Sequence, residues 1–167
     1  MHTRLLVALF FVCLMSVGCS LGEDASKGPP AKVAVGGPAP DFRLPDLKGR
    51  EVALGGLRGR PVLLVFGTTW CPYCREEIPR IREIYAKGRA RNLEVLNVYI
   101  NEADKKVGDF AARYALPYPV LLDRDGKVAE RYQVRGVPMI VLVDGQGNIA
   151  CYQCRDIDAV LNNLPGS

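Results

Sequence analysis

The run PVLLVFGTT, residues 61–69, constrains the fold more than any other stretch of this chain. It is unbroken apolar sequence from Val62 to Phe66, rich in β-branched and aromatic residues, and bounded by Pro61 and Gly67. Successive side chains of a strand point to opposite faces, so a strand wetted on one side alternates apolar and polar residues. A strand with no alternation must be covered on both faces, which is the setting of a central strand in an α/β protein.

The neighbouring segments supply those covering layers. Residues 74–90 read as a helix, with Ile78, Ile81, Ile84 and Tyr85 laying one apolar stripe against a sheet and Pro79 expected to kink it. LEVLNVYI, residues 93–100, is a second buried strand. DKKVGDFAARYAL, residues 104–116, is a second amphipathic helix with Val107, Phe110 and Tyr114 turned inward. Strands alternating with helices call for a parallel core sheet. Upstream, FRL and EVALGGL form two short strands around the turn DLKGR. Downstream, PVLLD and KVAERY form an inserted segment before the hairpin MIVLVDGQGNIACYQ, residues 139–153, whose turn centres near Gln146. DIDAVLNNL closes the chain as a helix with Asp156 as N-cap.

The first 18 residues do not belong to this fold. His2 and Arg4 precede the apolar run Leu5 to Met15, and small residues Ser16 and Gly18 follow, the pattern of a secretory signal. The run is too short for a comfortable membrane span, which needs about 20 apolar residues. The expectation is an exported protein, with its folded domain over residues 38–167. SVGCS around Cys19 resembles a bacterial lipobox, with Ser16 where that pattern favours Leu; lipidation of Cys19 or ordinary cleavage both fit. Residues 19–37 are rich in Gly, Pro and Ala with little to bury, and read as a flexible tether. A lipidated Cys19 would place a soluble domain beside a membrane. A net charge of +4 from scattered basic residues gives no footprint for nucleic acid.

The chemistry concentrates in WCPYC, residues 70–74. The only histidine is His2, so a haem-binding C-x-x-C-H and any catalytic site that needs histidine are excluded. A redox couple fits the local physics instead. A cysteine opening a helix faces unpaired N–H groups and the positive end of the dipole, which favours thiolate, and the residue three further on shares its face within disulfide reach. Cys71 is then the exposed attacker and Cys74 the resolving thiol. No cofactor or metal is expected for this exchange.

GGPAPDFRLPDLKGREVALGGLRGRPVLLVFGTTWCPYCREEIP closely resembles the start of the TlpA/ResA-like thioredoxins, exported membrane-anchored thiol-disulfide oxidoreductases, and the likeness extends over residues 36–150 to RGVP. The resemblance implies a thioredoxin-like three-layer α/β fold with a central mixed sheet, an N-terminal β-hairpin and a central insertion. It makes Cys71 the nucleophile, Cys74 the resolving thiol and Trp70 the packing residue before them. Val137-Pro138 falls where the family has a cis-proline beside the disulfide, its preceding backbone pairing with substrate. Glu77 matches an acid that affects cysteine ionisation. The sequence departs from the family at Gly67 and Thr68 and at Met139, and Pro72-Tyr73 is the dipeptide of glutaredoxins, so the direction of electron flow cannot be read.

A second pair, Cys151 and Cys154, is outside the family motif. Residues three apart in a regular strand lie about 10 Å apart and point to opposite faces, too far for a disulfide, so the strand must end or bend if they bond. With the turn near Gln146, Met139 lies opposite Cys154, and Val141 or Leu142 opposite Cys151. Three roles fit: a structural disulfide, a relay of electrons to or from Cys71 and Cys74, and a metal site.

The expected activity is thiol-disulfide exchange with exported proteins, favouring reduction as in cytochrome c maturation or metal-site assembly, with a membrane electron donor. The competing readings are a thiol peroxidase of the peroxiredoxin group, suggested by PDF at residues 40–42, and a metal carrier using four thiolates.

Overall fold

The computed structural model describes residues 33–163. The expected signal, Cys19 and most of the expected tether lie outside those residues. Within them the chain forms β1 (Arg43–Pro45), β2 (Glu51–Ala53), β3 (Val62–Gly67), α1 (Pro72–Gly88), β4 (Glu94–Ile100), α2 (Asp104–Arg113), β5 (Val120–Asp123), α3 (Lys127–Arg131), β6 (Met139–Val143), β7 (Ile149–Tyr152) and α4 (Ile157–Asn162).

Five strands make one mixed sheet in the order β5-β4-β3-β6-β7, with β3 at its centre. β4 runs parallel to β3 and β5 parallel to β4, whereas β6 is antiparallel to β3 and β7 to β6. Every residue of β3 is buried. Val62, Leu64 and Phe66 face a cluster with Phe42, Leu44 and Tyr132. Leu63 and Val65 face the opposite cluster with Ile81, Ile84 and Ile157. This two-sided burial is the reason the sequence of β3 does not alternate.

β1 and β2 form the expected N-terminal hairpin, antiparallel with Leu44 opposite Val52. Its turn is organised by Asp46, whose Oδ1 accepts the backbone N–H groups of Lys48 (2.8 Å) and Arg50 (2.9 Å). The inserted segment supplies the edge strand β5 and the short helix α3. Asp123 closes the corner between them by accepting from the N–H groups of Val128 and Ala129.

α1 begins two residues earlier than expected, at Pro72, and runs unbroken through Pro79. A proline suits the first helical turn because its missing N–H has no partner there. Ile78, Ile81 and Ile84 are buried as the stripe required. α4 is capped by Asp156, whose Oδ1 accepts from the Ala159 N–H at 2.9 Å. Upstream of β1 the backbone is tied to β7: the Gly36 N–H donates to the Ile149 carbonyl, and the Ile149 N–H to the Gly37 carbonyl, each at 2.8 Å.

Candidate active site

The antiparallel course of β6 decides where the site lies. Phe66, near the end of β3, pairs with Met139, which begins β6. The loop before β6 therefore meets the loop after β3, and Val137-Pro138 arrives beside Cys71. The Val137–Pro138 peptide bond is cis.

Cys71 is the N-cap of α1 and its Sγ accepts the Cys74 N–H at 3.2 Å. The Sγ also lies 3.5 Å from the Val137 carbonyl oxygen. Both cysteines are free thiols. Cys71 is not exposed as its sequence position implied: only 3% of it is accessible, because the Val137 loop covers it from one side and the helix start from the other. Cys74 is half-buried. Burial first, then the hydrogen bond and charge of Cys71, push the Cys74 thiol up to about 12. Cys71 Sγ accepts an N–H at the helix start whereas Cys74 is the sulfur on which burial disfavours charge, so the two have unlike surroundings.

Trp70 differs from expectation in the same neighbourhood. It is 64% exposed and Tyr73 is 69% exposed, so the indole stands at the rim and does not pack beneath the cysteines. The two threonines before it, by contrast, are buried. Thr69 is gripped by Glu102, whose carboxylate accepts from the backbone N–H and the hydroxyl, both at 2.6 Å. Lys106 pairs with Glu102 at 2.7 Å. Burial acts to raise the Glu102 pKa, but the bonds from Lys106 and Thr69 outweigh it and hold the carboxyl below the usual range.

Behind the cysteines, Cys74 and Glu77 share the lining of a cavity of about 10 Å³ with Gly67, Asn97, Tyr99 and Tyr118. That is room for about one water molecule. Burial, above all, raises the pKa of both tyrosines, Tyr118 to about 12. Glu77 is ion-paired with Arg80, one turn along α1. Gly67, where the sequence departs from its relatives, lies 3.5 Å from the Cys74 sulfur when a Cβ is built on it.

The structure thus brings Cys71, Cys74, Val137 and Pro138 together and places Glu77 beside Cys74. Sequence reasoning missed Glu102, Asn97 and Tyr118. Asn97 carried a readable signal, a lone amide inside the apolar strand LEVLNVYI. Glu102 carried one only through topology, since it follows a parallel strand at the sheet end where such folds place their chemistry.

Cys151 and Cys154 are joined by a disulfide, their Cα atoms 5.6 Å apart. The hairpin turn is closed by the Asp144 N–H donating to the Asn148 carbonyl. Leu142 pairs with Cys151 as expected, although a bulge at Leu142/Val143 shifts the register toward the turn. The bend required for the bond is Gln153, which follows the end of β7 with φ of 57°. It carries Cys154 inward, where the N–H donates to the Ile140 carbonyl at 3.0 Å in place of the expected position opposite Met139. No group of three or more His, Cys, Asp or Glu side chains converges among the described residues.

A pair of free thiols at a helix start, beside a cis-proline loop at one end of a five-stranded mixed sheet, defines a thioredoxin-fold thiol-disulfide oxidoreductase. Comparison with known proteins agrees. Residues 35–151 match the AhpC/TSA family. The thiol-disulfide oxidoreductase ResA of Geobacillus kaustophilus is 37% identical over 85% of this chain and 81% of the relative. ResA of Geobacillus thermodenitrificans is 40% identical over 70% of this chain and 67% of its own. Among solved structures, the thioredoxin domain of a thiol-disulfide oxidoreductase from Bacteroides vulgatus superposes with a TM-score of 0.70 and 28% identity, over 78% of this chain and 94% of that one. The chain belongs to the AhpC/TSA family, among its ResA-like thiol-disulfide oxidoreductases.

Proposed function

We propose that the chain reduces disulfides in exported client proteins, in the manner of cytochrome c maturation or metal-site assembly, from a lipid-anchored position on the periplasmic side of a bacterial membrane. The observation that carries the redox part is the asymmetry of Cys71 and Cys74 beside cis-Pro138. The signal-like residues 1–18 and the lipobox-like sequence at Cys19 support the placement.

A client disulfide enters the groove along the Val137 backbone, which pairs with it as an added strand would. The Cys71 thiolate attacks one client sulfur, forming a mixed disulfide and releasing the other sulfur as thiolate. Cys74 then loses its proton, attacks the Cys71 sulfur and frees the client, leaving Cys71 and Cys74 oxidised. Glu77, on the wall of the same cavity, biases the ionisation of Cys74, and a membrane donor restores the dithiol.

The test is a redox titration in glutathione and dithiothreitol buffers, with alkylation resolved by peptide. A Cys71-Cys74 potential below about −220 mV is expected for a reductant, and one near about −120 mV would replace it with an oxidant. Peroxide consumption by the same preparation would instead favour the peroxidase reading. For the anchor, radiolabelled palmitate incorporated by the parent and lost in Cys19→Ser is the expected result.

A further inference from the structure

We propose that the Cys151–Cys154 disulfide is a second redox centre that exchanges electrons with Cys71 and Cys74 across the groove beside the Val137-Pro138 loop. The inference rests on the thiol-disulfide exchange assigned above to the first pair.

The two pairs are far apart in sequence, and the Val137-Pro138 loop beside Cys71 and the residues around Cys154 line one groove. A groove of about 500 Å³ is lined by Glu77, Arg80, Val137, Pro138, Cys154 and Arg155, among others. Cys71 lies directly behind that wall, its Sγ 3.5 Å from the Val137 carbonyl oxygen. Cys154 reaches it because Gln153 bends the chain back toward β6, where Ile140 accepts the Cys154 N–H. Ile140 pairs in turn with Val65 on the strand that leads to Cys71. Two strand spacings, about 10 Å, separate β7 from β3. Arg80 spans the interval: it is ion-paired with Glu77 on the cysteine helix and donates to the carbonyl of Arg155, the residue after Cys154.

Other features favour exchange over a purely structural bridge. The bond joins residues only three apart. Closing so short a loop removes little freedom from the unfolded chain, since that stabilisation grows with loop length. Cys154 is 5% exposed and lines the groove, whereas Cys151 is half-buried.

The steps balance within the chain. The Cys71 thiolate attacks Cys154 Sγ, forming the Cys71–Cys154 bond and breaking Cys151–Cys154, and Cys151 leaves as thiolate and takes a proton from solvent. Cys74 gives its proton to solvent and attacks Cys71 Sγ, forming Cys71–Cys74 and releasing Cys154 as thiolate. Two electrons pass from the first pair to the second, and the same steps reversed return them.

The test uses the full-length chain with Cys13→Ser and Cys19→Ser throughout. Dithiothreitol reduces the oxidised protein, maleimide quenches samples over time, and mass spectrometry follows the Cys151–Cys154 peptide. Adding Cys71→Ser is expected to slow reduction of Cys151–Cys154 by about tenfold or more. Equal rates would overturn the relay. A trap gives an independent check: in Cys74→Ser/Cys151→Ser, oxidised glutathione is expected to yield an internal Cys71–Cys154 cross-link, and separate glutathione adducts alone would count against the proposal. Cys74→Ser distinguishes the two levels of inference. Glutathione uptake at Cys71 with equal reduction rates removes only the relay, whereas no uptake at Cys71 removes the exchange reading and the relay with it.

Discussion

The chain contains two cysteine pairs of identical spacing, on opposite kinds of backbone. Cys71 and Cys74 open a helix: the first cysteine caps it, the second donates its N–H to the first sulfur, and both remain thiols. Cys151 and Cys154 sit at the end of a strand, with the left-handed residue Gln153 between them, and are bonded to each other. Spacing alone therefore does not assign chemistry. A helix start supplies N–H groups that stabilise one sulfur's charge and so divide the pair into unlike partners. A strand end supplies no such gradient, and a bend must bring the sulfurs together.

The sharpest way to break this contrast is to disable each pair in turn. Cys71→Ser is expected to bring disulfide exchange with a protein client down to the uncatalysed rate, whereas Cys151→Ser/Cys154→Ser keeps glutathione uptake at Cys71 at the parent rate. Equal loss in both would mean that the strand-end pair is needed for the first step. Next in size is the pH response of Cys74. Its thiol, pushed up to about 12 from an ordinary 9.0, should hold about a thousandfold less thiolate at pH 8 and be alkylated correspondingly slowly. Cys71→Ser should recover only part of that rate, because burial is the larger cause.

Stability separates the regions further. Loss of the Cys151–Cys154 bond should cost about 2 kcal/mol in denaturant unfolding, the value for so short a loop. Glu102→Gln should cost about 2 kcal/mol as well, through its charged bonds to Thr69 and Lys106. The folded Glu102 pKa is depressed, so its contribution is complete above the ordinary 4.5 and is lost as pH falls through the folded value. The Gln variant should therefore lose less stability on acidification than the parent. The smallest effect belongs to Gly67→Ala. Its Cβ meets the Cys74 sulfur at an ordinary 3.5 Å, so stability should rise by about 0.5 kcal/mol through the unfolded chain. The cavity narrows meanwhile, and Cys74 alkylation should slow.

Much of this architecture was legible because its signals are local. The apolar run of β3 announced two covered faces, the isoleucine stripe announced α1, and Asp156 announced the start of α4. The helix-start cysteines were legible for the same reason, since their chemistry follows from four consecutive residues and the turn that begins there. What escaped was set by tertiary placement. The burial of Cys71 depends on a loop 66 residues away. The hold on Thr69 comes from Glu102, 33 residues further along the chain. Spacing showed that a bend was needed between Cys151 and Cys154, but nothing in ACYQC marks Gln153 as left-handed, a conformation more usual for glycine or asparagine.

The anchoring of Gly36 and Gly37 to Ile149 gives the domain a polarity. Ile149 pairs with Val143, and Val143 with Val62, so this contact lies at the start of β3 while the thiols follow its end. The chain enters at one pole and reacts at the other, about 20 Å away along six residues of strand. The residues that react therefore stand a full strand length from the place where the N-terminal segment joins the sheet.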